Sequence, residues 1–129
     1  MPSVFSKIIK GEIPSHKIAE NDDFLAFLDI NPLAKGHTLV IPKKEVDYIF
    51  DLDGSTYQNL WSFAKDVAKK IEKVIPCERI GTAVIGLEVP HAHIHLIPIN
   101  SVSDINFSRE KLSLSQEELA EIAAKIKAA

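Results

Sequence analysis

Residues 90–98 read PHAHIHLIP, with histidine at positions 91, 93 and 95 and a proline near each end. The chain has five histidines, so this short stretch holds most of them. Side chains alternate between the two faces of a β-strand. A strand here puts His91, His93 and His95 on one face and Ala92, Ile94 and Leu96 on the other. The complete alternation predicts a strand with its apolar side on a core and its imidazoles in a row.

The segments on either side extend this reading. Ser3 can cap a short helix whose apolar face carries Phe5, Ile8 and Ile9, and Gly11 and Pro14 end it. HKIAEN and FLAFLDI read as strands joined by the turn residues ENDD, and NPLAKG leads into a third strand, HTLVIP. STYQNLWSFAKDVAKKIEKVI is a long helix with Leu60, Ala64, Val67 and Ile71 on one stripe. Ser55 or Thr56 is its expected cap, and Pro76 stops it. RIGTAVIG precedes the histidine strand as a further strand. SLSQEELAEIAAKIKAA opens with a capping box, Ser115 to Glu118, and forms a C-terminal helix. The polar stretch NSVSDINFSREK between them reads as a loop. Strands and helices do not alternate regularly, so the expected fold is α+β. It has a mostly antiparallel sheet of about five strands, one long helix, a short N-terminal helix and a C-terminal helix, in one domain over 1–129.

Composition narrows the function. The 129 residues are 46% hydrophobic and 26% charged, enough for a core and too apolar for disorder. A net charge of -3 without a basic cluster argues against binding duplex nucleic acid. No apolar run reaches the roughly 18 residues of a membrane span. The N-terminal segment lacks the pattern of a signal peptide. Cys77 stands alone, which suits a reducing compartment, and reads as a small buried hydrophobe before a strand. A cytoplasmic protein is expected.

The histidine face admits three uses. The imidazoles can be polar residues on a half-exposed strand. They can ligate a metal, although His91 and His95 lie roughly 13 Å apart on an ideal strand at about 3.3 Å per residue, too far to share one ion. His37 or Glu88 would then have to complete a site with one neighbouring pair. Or one imidazole attacks phosphorus, held in the correct tautomer, while its neighbours donate hydrogen bonds to phosphate oxygens.

HAHIHLI resembles the His-φ-His-φ-His-φ-φ signature of the histidine triad (HIT) superfamily, where φ is hydrophobic. VFSKIIKGEIP and LAFLDINPLAKGHTLVIPKK resemble further blocks of that family in the same order, so the resemblance covers about residues 3 to 99. It implies a homodimeric α+β protein that hydrolyses or transfers purine nucleotide conjugates by attack at the α-phosphate. By resemblance, His93 is the nucleophile, His91 supports it, partly through its main chain, His95 contacts phosphate oxygens and His37 stands near the triad. Asp29 takes the place of the acid that binds ribose hydroxyls. Phe5, Ile8, Phe27 and Ile30 take the places of the base pocket, where a flat apolar slot holds a purine by stacking and burial. Gly86 and Glu88 lie where phosphate contacts are expected.

The chain departs from the family pattern in three places. In GLEVPH, Leu87 replaces a glutamine, and Glu88 replaces a hydroxyl residue thought to help the leaving group. Glu88 could act as a general acid or repel the anionic substrate. An asparagine-containing loop has no counterpart in RIGTAVIGLEV. Some bacterial relatives hold structural zinc through two cysteines, a histidine and the first triad histidine. The corresponding residues here are Ser3, Ser6, Glu45 and His91, so no structural zinc and no other cofactor is expected. Two alternatives to a hydrolase stay open: a nucleotide-binding module with little turnover, and a histidine metal-binding protein.

Overall fold

The computed structural model describes residues 2–129. Five antiparallel strands form one sheet in the order β1-β2-β3-β5-β4. They are β1 (Lys17–Glu20), β2 (Phe24–Leu28), β3 (Thr38–Pro42), β4 (Arg79–Ala83) and β5 (Ile94–Ile99). The helices are α1 (Val4–Ile9), α2 (Gly54–Val74) and α3 (Gln116–Ala128). This is the α+β architecture expected from the sequence, with the first three strands as a meander.

Both faces of the sheet are covered. On one, Ala26, Leu28, Val40, Ile94 and Leu96 pack against Leu60, Ala64, Val67 and Ile71 of α2 and against Leu119 and Ile126 of α3. On the other, Leu25, Phe27, Leu39 and Ile41 pack against Phe5 and Ile8 of α1. A strand buried on both faces has no polar side, which is why FLAFL is apolar throughout. Leu60 is fully buried, and truncating such a residue to alanine costs about 2–5 kcal/mol.

The helix ends follow local chemistry. Ser3 caps α1, its Oγ accepting the Ser6 N–H at 3.0 Å. Ser115 and Glu118 form the capping box of α3. The cap of α2 is Asp53, not Ser55 or Thr56. Its carboxylate accepts from both of those residues, at 2.8 Å from Ser55 Oγ and 3.2 Å from Thr56 N–H, so the helix starts one residue earlier, at Gly54. The strand ends also shift. β2 stops at Leu28, because Asp29 turns the chain by accepting the Asn31 N–H at 2.8 Å. The stretch NSVSDINFSREK contains one 3₁₀ turn, Val102–Asp104. Cys77 is half-buried just ahead of β4.

The β2–β3 connection matters most for the site. The last rung of that ladder pairs Leu28 with Thr38, which leaves Asp29 and His37 facing each other just beyond it. The Asp29 N–H donates to the His37 carbonyl at 3.0 Å. Gly36, at φ +90°, makes the turn into His37. A Cβ there would lie 2.9 Å from Ile75 Cγ1 and 3.3 Å from Pro98 Cγ. Gly11 has a similar φ of +79° with nothing within 4 Å. A side chain pays roughly 1 kcal/mol for positive φ at either position. Crowding adds to that only at Gly36, for a total of about 2–4 kcal/mol. In urea unfolding, Gly36→Ala should lose clearly more stability than Gly11→Ala, and equal losses would show that the crowding is not felt.

Candidate active site

The histidine stretch is only partly strand. β5 begins at Ile94, and residues 91–93 lead into it in irregular backbone. The expected strand over all three histidines is therefore corrected at its start, and the reason is local. Pro90 has no N–H, the His91 N–H bonds Val89 O at 2.8 Å, and the Ala92 N–H bonds Val46 O at 2.7 Å instead of a strand neighbour. The alternation survives the loss of pairing. Ala92, Ile94 and Leu96 enter the core, while His93 and His95 line a cavity on the opposite face. His91 is fully buried and does not line it.

Each buried imidazole is held by named partners, and those partners fix its tautomer. The Leu33 N–H donates to His37 Nδ1 at 3.0 Å, so that nitrogen carries no proton. His37 Nε2 therefore carries it and donates to His95 Nδ1 at 3.0 Å. Burial, with His95 and Lys111 adding to it, lowers the His37 pKa to about 3. Burial and the neighbouring His93 bring His95 to about 4. Both rings are neutral at pH 7, so His95 carries its one proton on Nε2. His93 Nδ1 donates to the His91 carbonyl at 2.7 Å, so in the neutral ring the lone pair is on Nε2. His91 Nε2 donates to Pro42 O at 2.8 Å, and its Nδ1 accepts from Ser3 Oγ at 2.8 Å. Burial lowers the His91 pKa as well.

A second network stands behind His91. Glu45 accepts from the Ser3 N–H and from Ser6 Oγ, each at 2.6 Å. These bonds hold the Glu45 carboxyl down at about 2. Ser3, Ser6, Glu45 and His91 are the residues that the resemblance places at the zinc positions of some relatives. Here they bond to one another in a closed set. Both ring nitrogens of His91 are occupied, and the serines offer hydroxyls where zinc prefers thiolate. This donor set does not fit a structural zinc.

The cavity over His93 and His95 has a volume of about 430 Å³. Phe5 forms one wall, its ring edge-to-face with His93 at 5.0 Å. Asp29 also lines it, its carboxyl raised in pKa by burial and partly restored by the Asn31 N–H. Gly86, at φ +75°, and Glu88 belong to the irregular arm that follows β4 and closes another side. A smaller cavity of about 330 Å³ shares that arm and His93, and is walled by Tyr48, Phe50, Tyr57 and Trp61. The buried Trp61 Nε1 has no hydrogen-bond partner among the described residues.

Of the residues singled out from the sequence, Phe5, Asp29, His37, Gly86, Glu88, His93 and His95 meet around the larger cavity. Ile8 and Phe27 lie beneath Phe5 in the apolar cluster and do not line it. Ile30 is 58% exposed and outside it. Phe107 and Lys111 line the cavity and were not anticipated. A lone phenylalanine in the polar stretch 100–111 was the available signal for the first; nothing marked the second.

Asp29, His37 and His95 also place one potential metal-ligand atom each within 4.8 Å of one another. The Leu33 N–H argues against an ion there. A neutral His37 that binds metal through Nε2 must carry its proton on Nδ1, where that N–H already points.

Residues 10–102 match the HIT domain family. The adenosine 5'-monophosphoramidase of Schizosaccharomyces pombe is 36% identical, over 98% of this chain and 100% of that protein. A crystal structure of a HIT-like protein from Bartonella henselae superposes with a TM-score of 0.84 at 34% identity, covering 98% of this chain and 95% of the other. A hypothetical histidine triad nucleotide-binding protein from Sulfolobus tokodaii gives 0.82 at 26% identity, covering 96% of this chain and 89% of the other.

The lowered pKa values carry a prediction for stability. An unfolded histidine titrates near 6.5. Below that the unfolded chain binds protons that His37 and His95 resist, so stability is full above about pH 6.5 and falls as pH drops toward 4. Denaturation curves between pH 7 and 4.5 should show this slope, and His95→Asn should flatten it. A slope unchanged in His95→Asn would mean that this ring is not a source of the effect.

Proposed function

The chain belongs to the HIT domain family, and on that footing we propose that it is a hydrolase of purine nucleotide conjugates acting through a nucleotidyl-histidine intermediate. The observation that carries this reading is the free Nε2 of His93, whose other nitrogen is committed to the His91 carbonyl at 2.7 Å, beside the Nε2–H of His95. One imidazole offers a lone pair and its neighbour offers a proton, which is the pairing that attack on a phosphate ester or amidate needs.

The proposed reaction has two steps. His93 Nε2 bonds to the α-phosphorus as the bond from phosphorus to the leaving amine breaks, and the amine takes up a proton. His95 Nε2–H donates to a phosphate oxygen and stabilises charge that builds there in the transition state. Water then attacks phosphorus, breaks the bond to His93 and frees the nucleoside monophosphate. The base lies along Phe5, and Asp29 accepts from the ribose hydroxyls. The leaving group occupies the smaller cavity, which meets the larger one at His93. Glu88 lines the larger cavity as an exposed side chain, and the leaving group takes its proton from solvent at that open side. The amine class of substrate rests on the 36% identical monophosphoramidase.

The same reading takes the protein to be a cytoplasmic homodimer that needs no metal. The closed set of Ser3, Ser6, Glu45 and His91 supports the last point. β4 forms one edge of the sheet and gives a second copy a strand to pair with. Among the described residues no helix is long and apolar enough to cross a membrane. A second reading, a nucleotide-binding module with little turnover, is favoured by Leu87 and Glu88 in place of the family's glutamine and hydroxyl.

Incubation with adenosine 5'-phosphoramidate should produce an adenylyl mass adduct and turnover in the wild type. His93→Ala should lose the adduct, and its kcat/KM should fall by roughly 10³-fold or more. AMP binding without adduct or turnover would replace the hydrolase with the binding module. Activity that survives in His93→Ala would remove His93 as nucleophile.

A further inference from the structure

The family match ends at residue 102, yet two cavity-lining residues come after it. Residues 102–114 form a strap that crosses from the sheet edge to α3. It is fastened at several points. Asp104 Oδ2 accepts the N–H groups of Asn100 and Ser101, at 2.7 and 3.0 Å. Ile105 packs onto Gly81, where β4 has no side chain to obstruct it. The Leu112 N–H bonds Pro32 O at 2.8 Å, which ties the strap to the turn that carries Asp29 and His37.

This fastening brings Phe107 edge-to-face with His95, 4.8 Å between centroids, and turns Lys111 into the cavity. The Lys111 ammonium donates to Phe107 O at 2.6 Å and Arg109 O at 3.1 Å. An ammonium has three protons, so one remains for a ligand. The other charged lysine, arginine, aspartate and glutamate side chains lining this cavity are Asp29 and Glu88, both acidic. His37 and His95 are neutral at pH 7, at about 3 and 4. A phosphate brought there meets one fixed positive charge in the wall.

We infer that Lys111 is a ligand-binding residue: it supplies the cationic contact for the phosphate of the bound nucleotide, and the strap 102–114 holds it in place. This rests on the proposed nucleotide reading and adds a residue to it from outside the family match. Lys111 also acts on Asp29 through charge, so two roles must be separated. If it binds phosphate, it matters for AMP and not for adenosine. If it only keeps Asp29 ionised for the ribose, it matters equally for both.

Calorimetric titration with AMP and with adenosine distinguishes these roles. Lys111→Met keeps the aliphatic stem and should weaken AMP about tenfold, a typical loss for one charge-assisted bond, with adenosine unchanged. Wild-type affinity for AMP should fall with added salt, and that of Lys111→Met should fall less. Lys111→Arg should recover most of the loss. Phe107→Ala, which keeps the cation and removes the wall beside His95, should weaken both ligands. Equal weakening of AMP and adenosine by Lys111→Met, or no change in either, overturns the inference. A wild type that binds no AMP defeats the nucleotide reading itself. Discrimination at Lys111 in a protein that forms no adduct on His93 leaves this inference standing and removes the hydrolase.

Discussion

Buried imidazole nitrogens must be satisfied, and here that requirement decides which ring atoms are left without a partner. His37, His91, His93 and His95 carry eight ring nitrogens between them. Five hydrogen bonds occupy six of these. The two without a partner among the described residues are Nε2 of His93 and Nε2 of His95, and both rings face the cavity. Two backbone groups set the polarity of the arrangement. The Leu33 N–H can only donate, and the His91 carbonyl can only accept. From these follow a proton on His95 Nε2 and a lone pair on His93 Nε2. Burial keeps His37 and His95 neutral, so the bond between these two rings joins uncharged partners.

The fold serves this arrangement through short-range devices. The β2–β3 turn sets Asp29 opposite His37, with Gly36 shaping the approach. α1 brings Phe5 against His93 and, through its cap Ser3, holds the ring of His91. Glu45 fastens that helix start to the loop after β3. His91 thus works from beneath the cavity. Its side chain is structural, and its carbonyl orients the ring that faces the cavity.

Much of this was legible in the sequence because it rests on local period. The two-residue alternation of HAHIHLI put His93 and His95 on the open face, even though pairing begins only at Ile94. Period alone could not show that Pro90 and the bond from Ala92 to Val46 keep 91–93 out of the ladder. It equally could not separate His91 from its neighbours, since burial at that end comes from α1. The base-pocket residues divided for a similar reason. Phe5 reaches the cavity, Ile8 and Phe27 support it from below, and Ile30 is carried outward by the Asp29 turn. Phe107 and Lys111 were out of reach. Their place depends on contacts with Gly81 and Pro32, distant in the chain, and a polar stretch with one aromatic gives no period to read.

The central claim is the set of tautomers, and long-range ¹H–¹⁵N correlation spectra of the imidazole rings at pH 7 test it most directly. The account predicts a proton on Nδ1 of His93 and on Nε2 of His37, His91 and His95, with no second proton on His37 or His95. A His93 protonated on Nε2, or a His95 protonated on Nδ1, would contradict it, because the cavity would then lose the lone pair in the first case and the proton in the second.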